Sequence, residues 1–193
     1  TTSNEVRMMS NKVEFGISNL HVGTYSVATD GTVTLGTPYH VPGAVSWNPD
    51  EDSENNVFYA DNIAYWSEYT DGDMTGDLVV AKYPDVFKTM FMGYLSKGDG
   101  GLAKIKNAVK PKTYIAYQVE GDVESRRVIM YNCALGSIKR ENNTIEGSKS
   151  VDTEALAVSV AGDNKTGIVM VSYYKSDTGY STLFTSPPTP TTT

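Results

Sequence analysis

Two histidines, His21 and His40, and a single cysteine, Cys133, are all the imidazole and thiol the chain has for nucleophilic chemistry. A Ser-His-Asp or Cys-His hydrolase needs an imidazole beside its nucleophile. Both histidines fall near expected strand ends or turns, where a surface or hydrogen-bonded role accounts for them. Cys133 alternates with apolar residues and reads as a small core side chain, not a thiolate. Zinc needs clustered cysteines and histidines, and these are missing. Asp71-Gly72-Asp73-Met74-Thr75-Gly76 opens like an EF-hand loop. Its twelfth position, however, is Lys82, a cation where the bidentate glutamate belongs, and no helices flank it. It is read as an acidic turn. Gly98 to Gly101 has neither the preceding strand nor the following Lys-Ser/Thr of a phosphate-binding loop. Paired carboxylates could serve a glycosidase, but no pair stands out among the many acids. Asn142-Asn143-Thr144 and Asn164-Lys165-Thr166 match a glycosylation acceptor, which carries meaning only in a secreted chain. The expectation is a protein that is not an enzyme and holds no metal and no cofactor.

Charge narrows the partners. The formal net charge of the 193 residues is −7 and the isoelectric point is near 4.8, which disfavours general affinity for nucleic-acid phosphates. The distribution is uneven. From Asn48 through Ala81 there is no lysine, arginine or histidine, while Asp50, Glu51, Asp52, Glu54, Asp61, Glu68, Asp71, Asp73 and Asp77 all fall inside. Lys104, Lys106, Lys110 and Lys112 follow, then Arg126-Arg127 and Lys139-Arg140. Such asymmetry suits an ordinary solvated surface, and equally a subunit whose basic side meets a neighbour's acidic side. One cysteine permits no intrachain disulfide. No apolar run approaches a membrane helix, and no signal-peptide block opens the sequence, so an unexported, soluble protein made in the cytoplasm is expected. Met8 or Met9 before a small residue resembles a translation start, which would make residues 1 to 8 an upstream extension.

The elements that must position any site are mostly strands. Gly, Thr, Val and Tyr are abundant and long Ala/Leu/Glu/Lys stretches are absent. Val13, Phe15 and Ile17, then Tyr25 and Val27, alternate towards Asp30-Gly31, a hairpin turn, and continue through Val33 and Leu35. Four strands are expected between residues 44 and 83, at 45–47, 57–59, 63–69 and 78–81, separated by acidic connectors. Tyr83-Pro84-Asp85 opens one helix, near 84–95, since Pro fits a first turn and Asp85 complements the dipole. Val86, Phe87, Met90 and Phe91 form its apolar, core-facing side. Strands resume at 114–119, 127–135, 150–160 and 168–174. Ile129, Tyr131, Cys133 and Leu135 alternate onto one face, and Leu156, Val158 and Val160 onto another. The Thr/Pro-rich end has no large apolar residue after Phe184 and reads as an arm ordered only by a partner. The expected division is an N-terminal arm over 1–12, one β domain over 13–175 and a C-terminal arm over 176–193.

Taken in order, several segments together resemble the major tail protein of long-tailed siphophages of Gram-positive bacteria. They are Asn11-Lys12-Val13-Glu14-Phe15-Gly16, the Asp30-Gly31 hairpin, Val41-Pro42-Gly43-Ala44-Val45, Phe58-Tyr59-Ala60-Asp61-Asn62 and Tyr83-Pro84-Asp85-Val86-Phe87. Tyr131-Asn132-Cys133 and Thr153-Glu154-Ala155-Leu156-Ala157-Val158 are similar to that family as well. The likeness runs from about Asn11 to Tyr174; the lead before Met9 and the short Thr/Pro tail depart from it. It implies a mainly β fold, a β-sandwich or partial barrel with one packed helix, whose inner strands close a barrel in a hexameric ring. Stacked rings would form the tail tube of the virion, assembled in the host cytoplasm. Genomic DNA would pass through without specific binding, and no membrane is involved. The tape-measure protein, tail terminator and distal tail protein are its implied partners.

Within that reading, the small residues Asn132, Ala134, Ala155, Ala157 and Ser159 are expected at the lumen or a subunit seam. Tyr131, Leu135, Leu156, Val158 and Val160 should fill the sandwich. The acidic connector from Asp50 to Asn56, with Asp50, Glu51, Asp52, Glu54 and Asn55, is a candidate inter-ring loop; a free surface loop suits it equally. The competing class is a carbohydrate-binding or adhesin-like sandwich, suggested by thirteen tyrosines and by Trp47 and Trp66.

Overall fold

The computed structural model describes residues 16–60, 63–121, 124–140 and 152–191, with the backbone only at 52, 54–60 and 63–71. The expected N-terminal arm and the Val13 and Phe15 positions lie outside the described residues. The described residues form eleven strands: β1 (Ile17–Val27), β2 (Val33–Leu35), β3 (Tyr39–His40), β4 (Ala44–Ala60), β5 (Ile63–Val80), β6 (Leu95–Ser96), β7 (Leu102–Ala103), β8 (Thr113–Val119), β9 (Arg127–Arg140), β10 (Glu154–Val160) and β11 (Met170–Tyr173). Helix α1 (Asp85–Phe91) follows β5, and a short α2 (Thr178–Thr182) follows β11. The strands make one antiparallel sheet in the order β2-β1-β8-β9-β10-β5-β4, with β3 on β1 and β11 on β9, plus a small β6-β7 pair. The sheet is not a closed barrel. It curls so that β1 packs against β4, enclosing a core from Leu20, Val22, Trp47, Leu78, Ile115, Leu135, Leu156 and Val158.

The first hairpin forms as its sequence dictates. Tyr25 pairs with Leu35 and Val27 with Val33, around a turn in which Gly31 takes φ +82°, where only glycine is unstrained.

Where four short strands were expected, β4 and β5 pair without interruption except by three register shifts, from Ala44–Val80 to Ala60–Ile63. The acidic connector is therefore strand. Asp50, Glu51, Asp52, Glu54 and Asn55 all belong to β4, and Asp71-Gly72-Asp73 belongs to β5, not to a turn or a calcium loop. Low strand propensity in these acids yields to the regular ladder of a long hairpin.

Helix α1 is shorter than expected. It starts after Pro84 and ends at Met92, because Gly93 at φ +68° turns the chain out. Its inward side also differs. Phe87 and Phe91 are fully buried, whereas Val86 and Met90 are about half exposed. Residues four apart share a face, so 87 and 91 point in together and 86 and 90 point out together. The Tyr83, Phe87 and Phe91 rings lie 4.9 and 5.1 Å apart in succession. Phe87→Ala is expected to cost about 3–5 kcal/mol, measurable as a lower urea midpoint with unchanged slope; a neutral result would overturn its placement in the core.

A positive φ at Asn132 (54°) breaks the alternation expected in β9. Ile129 and Tyr131 face a second cluster with Tyr25, Tyr114, Ala116 and Leu183, while Cys133 and Leu135 face the main core. The extra residue appears as a register shift between Thr113–Cys133 and Ile115–Met130, a bulge that reverses which side each later residue faces. A second shift follows opposite Leu156 and Val158, where Gly136 lies so close to Ala157 that a β-carbon would sit 3.0 Å from Ala157 Cβ.

The C-terminal stretch is not a free arm. Leu183 is fully buried, the Tyr131 hydroxyl donates to the Pro188 carbonyl at 2.7 Å, and Pro190 is buried. The segment covers the second cluster, for which the sequence offered no partner because Tyr131 had been assigned to the sandwich interior.

Candidate functional site

One side of the sheet is divided. Over β1, β8 and the first half of β9 it lies beneath the C-terminal segment; over the second half of β9, β10, β5 and β4 it is open. The register sets the composition of the open part. Ser159 pairs with Ala134 and Thr75, and Thr75 with Asp50. Ala157 pairs with Asp77, and Asp77 with Asn48. Paired residues share a face, so small and acidic side chains form one row across four strands and a second across three. They line a groove of about 720 Å³ with Gly76 and Gly136. On the opposite face the alternating partners Trp47, Leu78, Leu156 and Val158 are buried.

Of the five small residues expected to lie together, Ala134, Ala157 and Ser159 line this groove. Ala155 is on the same face one row further along, paired with Val79 and Lys139, and Lys139 Nζ reaches Asp77 at 3.3 Å. Asn132 is apart from them. It is buried, and its side-chain amide donates to the Gly162 carbonyl at 2.8 Å, so its work is to hold the bulge. Among the large residues, Leu135, Leu156, Val158 and Val160 fill the main core, while Tyr131 is buried in the second cluster. The groove's carboxylates are Asp50 and Asp77.

Past the row Glu51–Met74, β4 and β5 leave the sheet as a two-stranded ribbon, since β10 ends at Val160 opposite Met74. The nine further residues of β4 at ~3.3 Å each would carry it about 30 Å beyond the body. Among the described residues β4 pairs only with β5, which leaves its outer edge open. A two-stranded ribbon alone is marginally stable in water, and a long open edge is a template for another chain. Of the inter-ring candidates, Asp50 and Glu51 are exposed; the side chains of Asp52, Glu54 and Asn55 lie outside the described residues.

No protein-family model matches the chain, and no curated protein matches it.

The remaining chemistry-bearing residues have structural duties. Cys133 is buried, and burial pushes its thiol up to about 12, which keeps it protonated and unreactive. Trp47 is 7% exposed and packed in the core, so it offers no platform for a sugar. Among the described residues no group of three or more His, Cys, Asp or Glu is placed to hold a metal, and no helix is long and apolar enough to cross a membrane. Asp163 accepts from the Tyr25 hydroxyl at 2.6 Å and from the Thr166 amide and hydroxyl. Burial would raise its carboxyl, but these donors hold it below the ordinary value. Glu154 accepts from the Tyr83 amide at 2.8 Å and from Arg140 at 2.8 Å, beside the buried Lys88; it ties α1 to the sheet. Sequence reasoning missed both carboxylates, the buried Asp163 and the partly buried Glu154, because nothing local distinguishes them from the many solvated acids.

His21 pairs with His40 across β1 and β3, with rings 5.0 Å apart, and stacks on Phe184 at 4.6 Å. Burial lowers its pKa below 6.5. The Asn19 carbonyl partly offsets this, and His40 and Arg127 add repulsion. The unfolded chain therefore takes up this proton first as pH falls. The stabilisation is complete above about pH 6.5 and is lost as pH drops through the lower folded value. Urea unfolding from about pH 7 to about pH 5 is expected to show stability falling, and His21→Gln to flatten that slope; equal slopes would refute the linkage.

Proposed function

We propose that this chain is the tail-tube subunit of a long-tailed bacteriophage, a structural protein that acts by polymerising and not by catalysis. The observation that carries the reading is the two-faced β9-β10-β5-β4 sheet. One face is core, and the other is open, small and acidic, ending at a 17-residue edge strand that is paired on one side only among the described residues. A solitary domain gains nothing from such a surface. A ring gains a closed barrel, in which each β4 edge finds backbone partners in the next copy and the open faces line a lumen. The resemblance supplies the sixfold symmetry and the stacking.

An acidic lining suits a conduit for genomic DNA, because every phosphate neutralised by the wall would add affinity and slow passage. Asp50, Asp77 and the small row of Ala134, Ala155, Ala157 and Ser159 are the lumen or seam residues on this reading. The ribbon bridges stacked rings. No cofactor or metal is required. The tape-measure protein, tail terminator and distal tail protein are the partners the resemblance implies, and the virion tail is its destination.

Negative-stain microscopy of the concentrated protein tests this. Hollow rings or tubes are expected; a strictly monomeric species in sedimentation at every concentration would sink the proposal. The carbohydrate-binding alternative predicts instead a monomer that binds a glycan array.

A further inference from the structure

A second groove, of about 300 Å³, lies at the end of α1, lined by Met92, Tyr94, Lys104, Ile105, Lys106 and Lys110 among others, with no carboxylate in its wall. Lys110 Nζ donates to the Leu135 carbonyl at 3.1 Å and also to the Gly136 carbonyl, which seats the loop beside the second half of β9. Lys104 and Lys106 are exposed. Ile105 is 42% exposed and Val109 94% exposed. From Gly100 through Val119 the sequence contains no acidic residue. A loop that alternates lysine with solvent-facing aliphatic residues spends apolar surface on water unless something covers it.

The ribbon is its complement. Its sequence, which has no basic residue, carries Glu51, Glu54, Glu68, Asp71 and Asp73 together with Phe58, Tyr59, Tyr65 and Trp66. Glu51 and Asp73 are exposed at its base. Sheet register puts the ribbon and the lysine loop on opposite sides of one row of the sheet. The ribbon leaves at the row Cys133–Val160–Met74 and runs in the direction of Arg127. The lysine loop flanks Leu135 and Gly136, on the Arg140 side of that row. The ribbon thus points away from its own lysine groove.

We infer that the Lys104-Ile105-Lys106 groove is the receptor for the acidic, aromatic β4-β5 ribbon of a second copy, in a head-to-tail contact that repeats without closing on itself. A contact between two different patches on identical subunits propagates in this way, and charge complementarity fixes its direction. The inference rests on the tube reading and adds to it the docking surface.

The test uses full-length chains in three forms: wild type, Lys104→Glu with Lys106→Glu, and Glu51→Lys with Asp73→Lys. Lys110 is left alone because it holds backbone carbonyls. Sedimentation velocity at low and high salt is expected to show wild-type association that weakens with salt. Each reversal should weaken association about tenfold or more, with melting unchanged, and mixing the two reversed proteins should restore it. If the first pair lowers the melting temperature, Lys104→Gln with Lys106→Gln replaces it and should reduce both association and salt dependence. Wild-type tubes with lysine variants assembling normally, or no rescue on mixing, would overturn the docking and leave the tube reading intact. Loss of duplex-DNA binding in a lysine variant that still assembles would mark the loop as a phosphate contact and would also overturn it. A wild type that never associates defeats the tube reading itself.

Discussion

Cutting the chain after Lys175 is expected to be among the most damaging changes to stability, although the sequence removed is short and rich in Thr and Pro. The cut takes away Leu183, which is fully buried, and Phe184, on which His21 stacks at 4.6 Å. Arg127 then loses the Tyr180 carbonyl at 2.6 Å and the ring of Tyr180 beneath its guanidinium, 4.0 Å away. The Tyr131 hydroxyl loses the Pro188 carbonyl. Emptying a buried leucine site alone costs about 2–5 kcal/mol, and domains are stable by only about 5–15 kcal/mol. The truncated chain should lose most of its cooperative unfolding transition or melt far lower, while Leu183→Ala should lose about 2–5 kcal/mol. Circular dichroism melts and urea titrations of both would check this. An unchanged midpoint in the truncated chain would mean that the segment is a free arm after all.

Replacing residues 52–73 by Asn-Gly should do the reverse, leaving the body intact and removing the assembly. The Glu51–Met74 pair is where the ribbon parts from the sheet, and a two-residue type I′ turn there preserves the hairpin register. The main core residues of β4 and β5, Trp47, Leu78 and Val80, lie outside the deletion. The melting temperature is therefore expected to stay close to that of wild type. Long tubes should disappear from micrographs at concentrations where wild type forms them, with rings or free subunits remaining. Milder charge reversal of Asp50, Glu51 and Asp52 should shorten tubes. Tubes of normal length from the deleted chain would remove the ribbon from any bridging role.

Local chemistry made much of the fold legible in advance. Asp30-Gly31 marks a hairpin, Pro84-Asp85 marks a helix start, and the alternation of Leu156, Val158 and Val160 marks a half-buried strand; each signal comes from a few neighbouring residues and survives in any context. The inward side of α1 was only half legible, because 86/90 and 87/91 are equally apolar and only the sheet chooses between them. The long β4-β5 ribbon was misread because its acids resemble connector residues one at a time, whereas a continuous ladder stabilises them together.

The sequence by itself determined the β character and the separation of an acidic stretch from a basic one, since composition and charge order do not depend on folding. Tertiary structure alone decided which residues share a surface. The bulge at Asn132, one residue in the left-handed region, turns Tyr131 towards the C-terminal segment and Leu135 towards the main core. Strand alternation has a period of two, so a single inserted residue reassigns every side chain after it. Short-range patterns cannot reveal whether that insertion occurs. It takes the neighbouring strands, and the segment that covers them, to fix it.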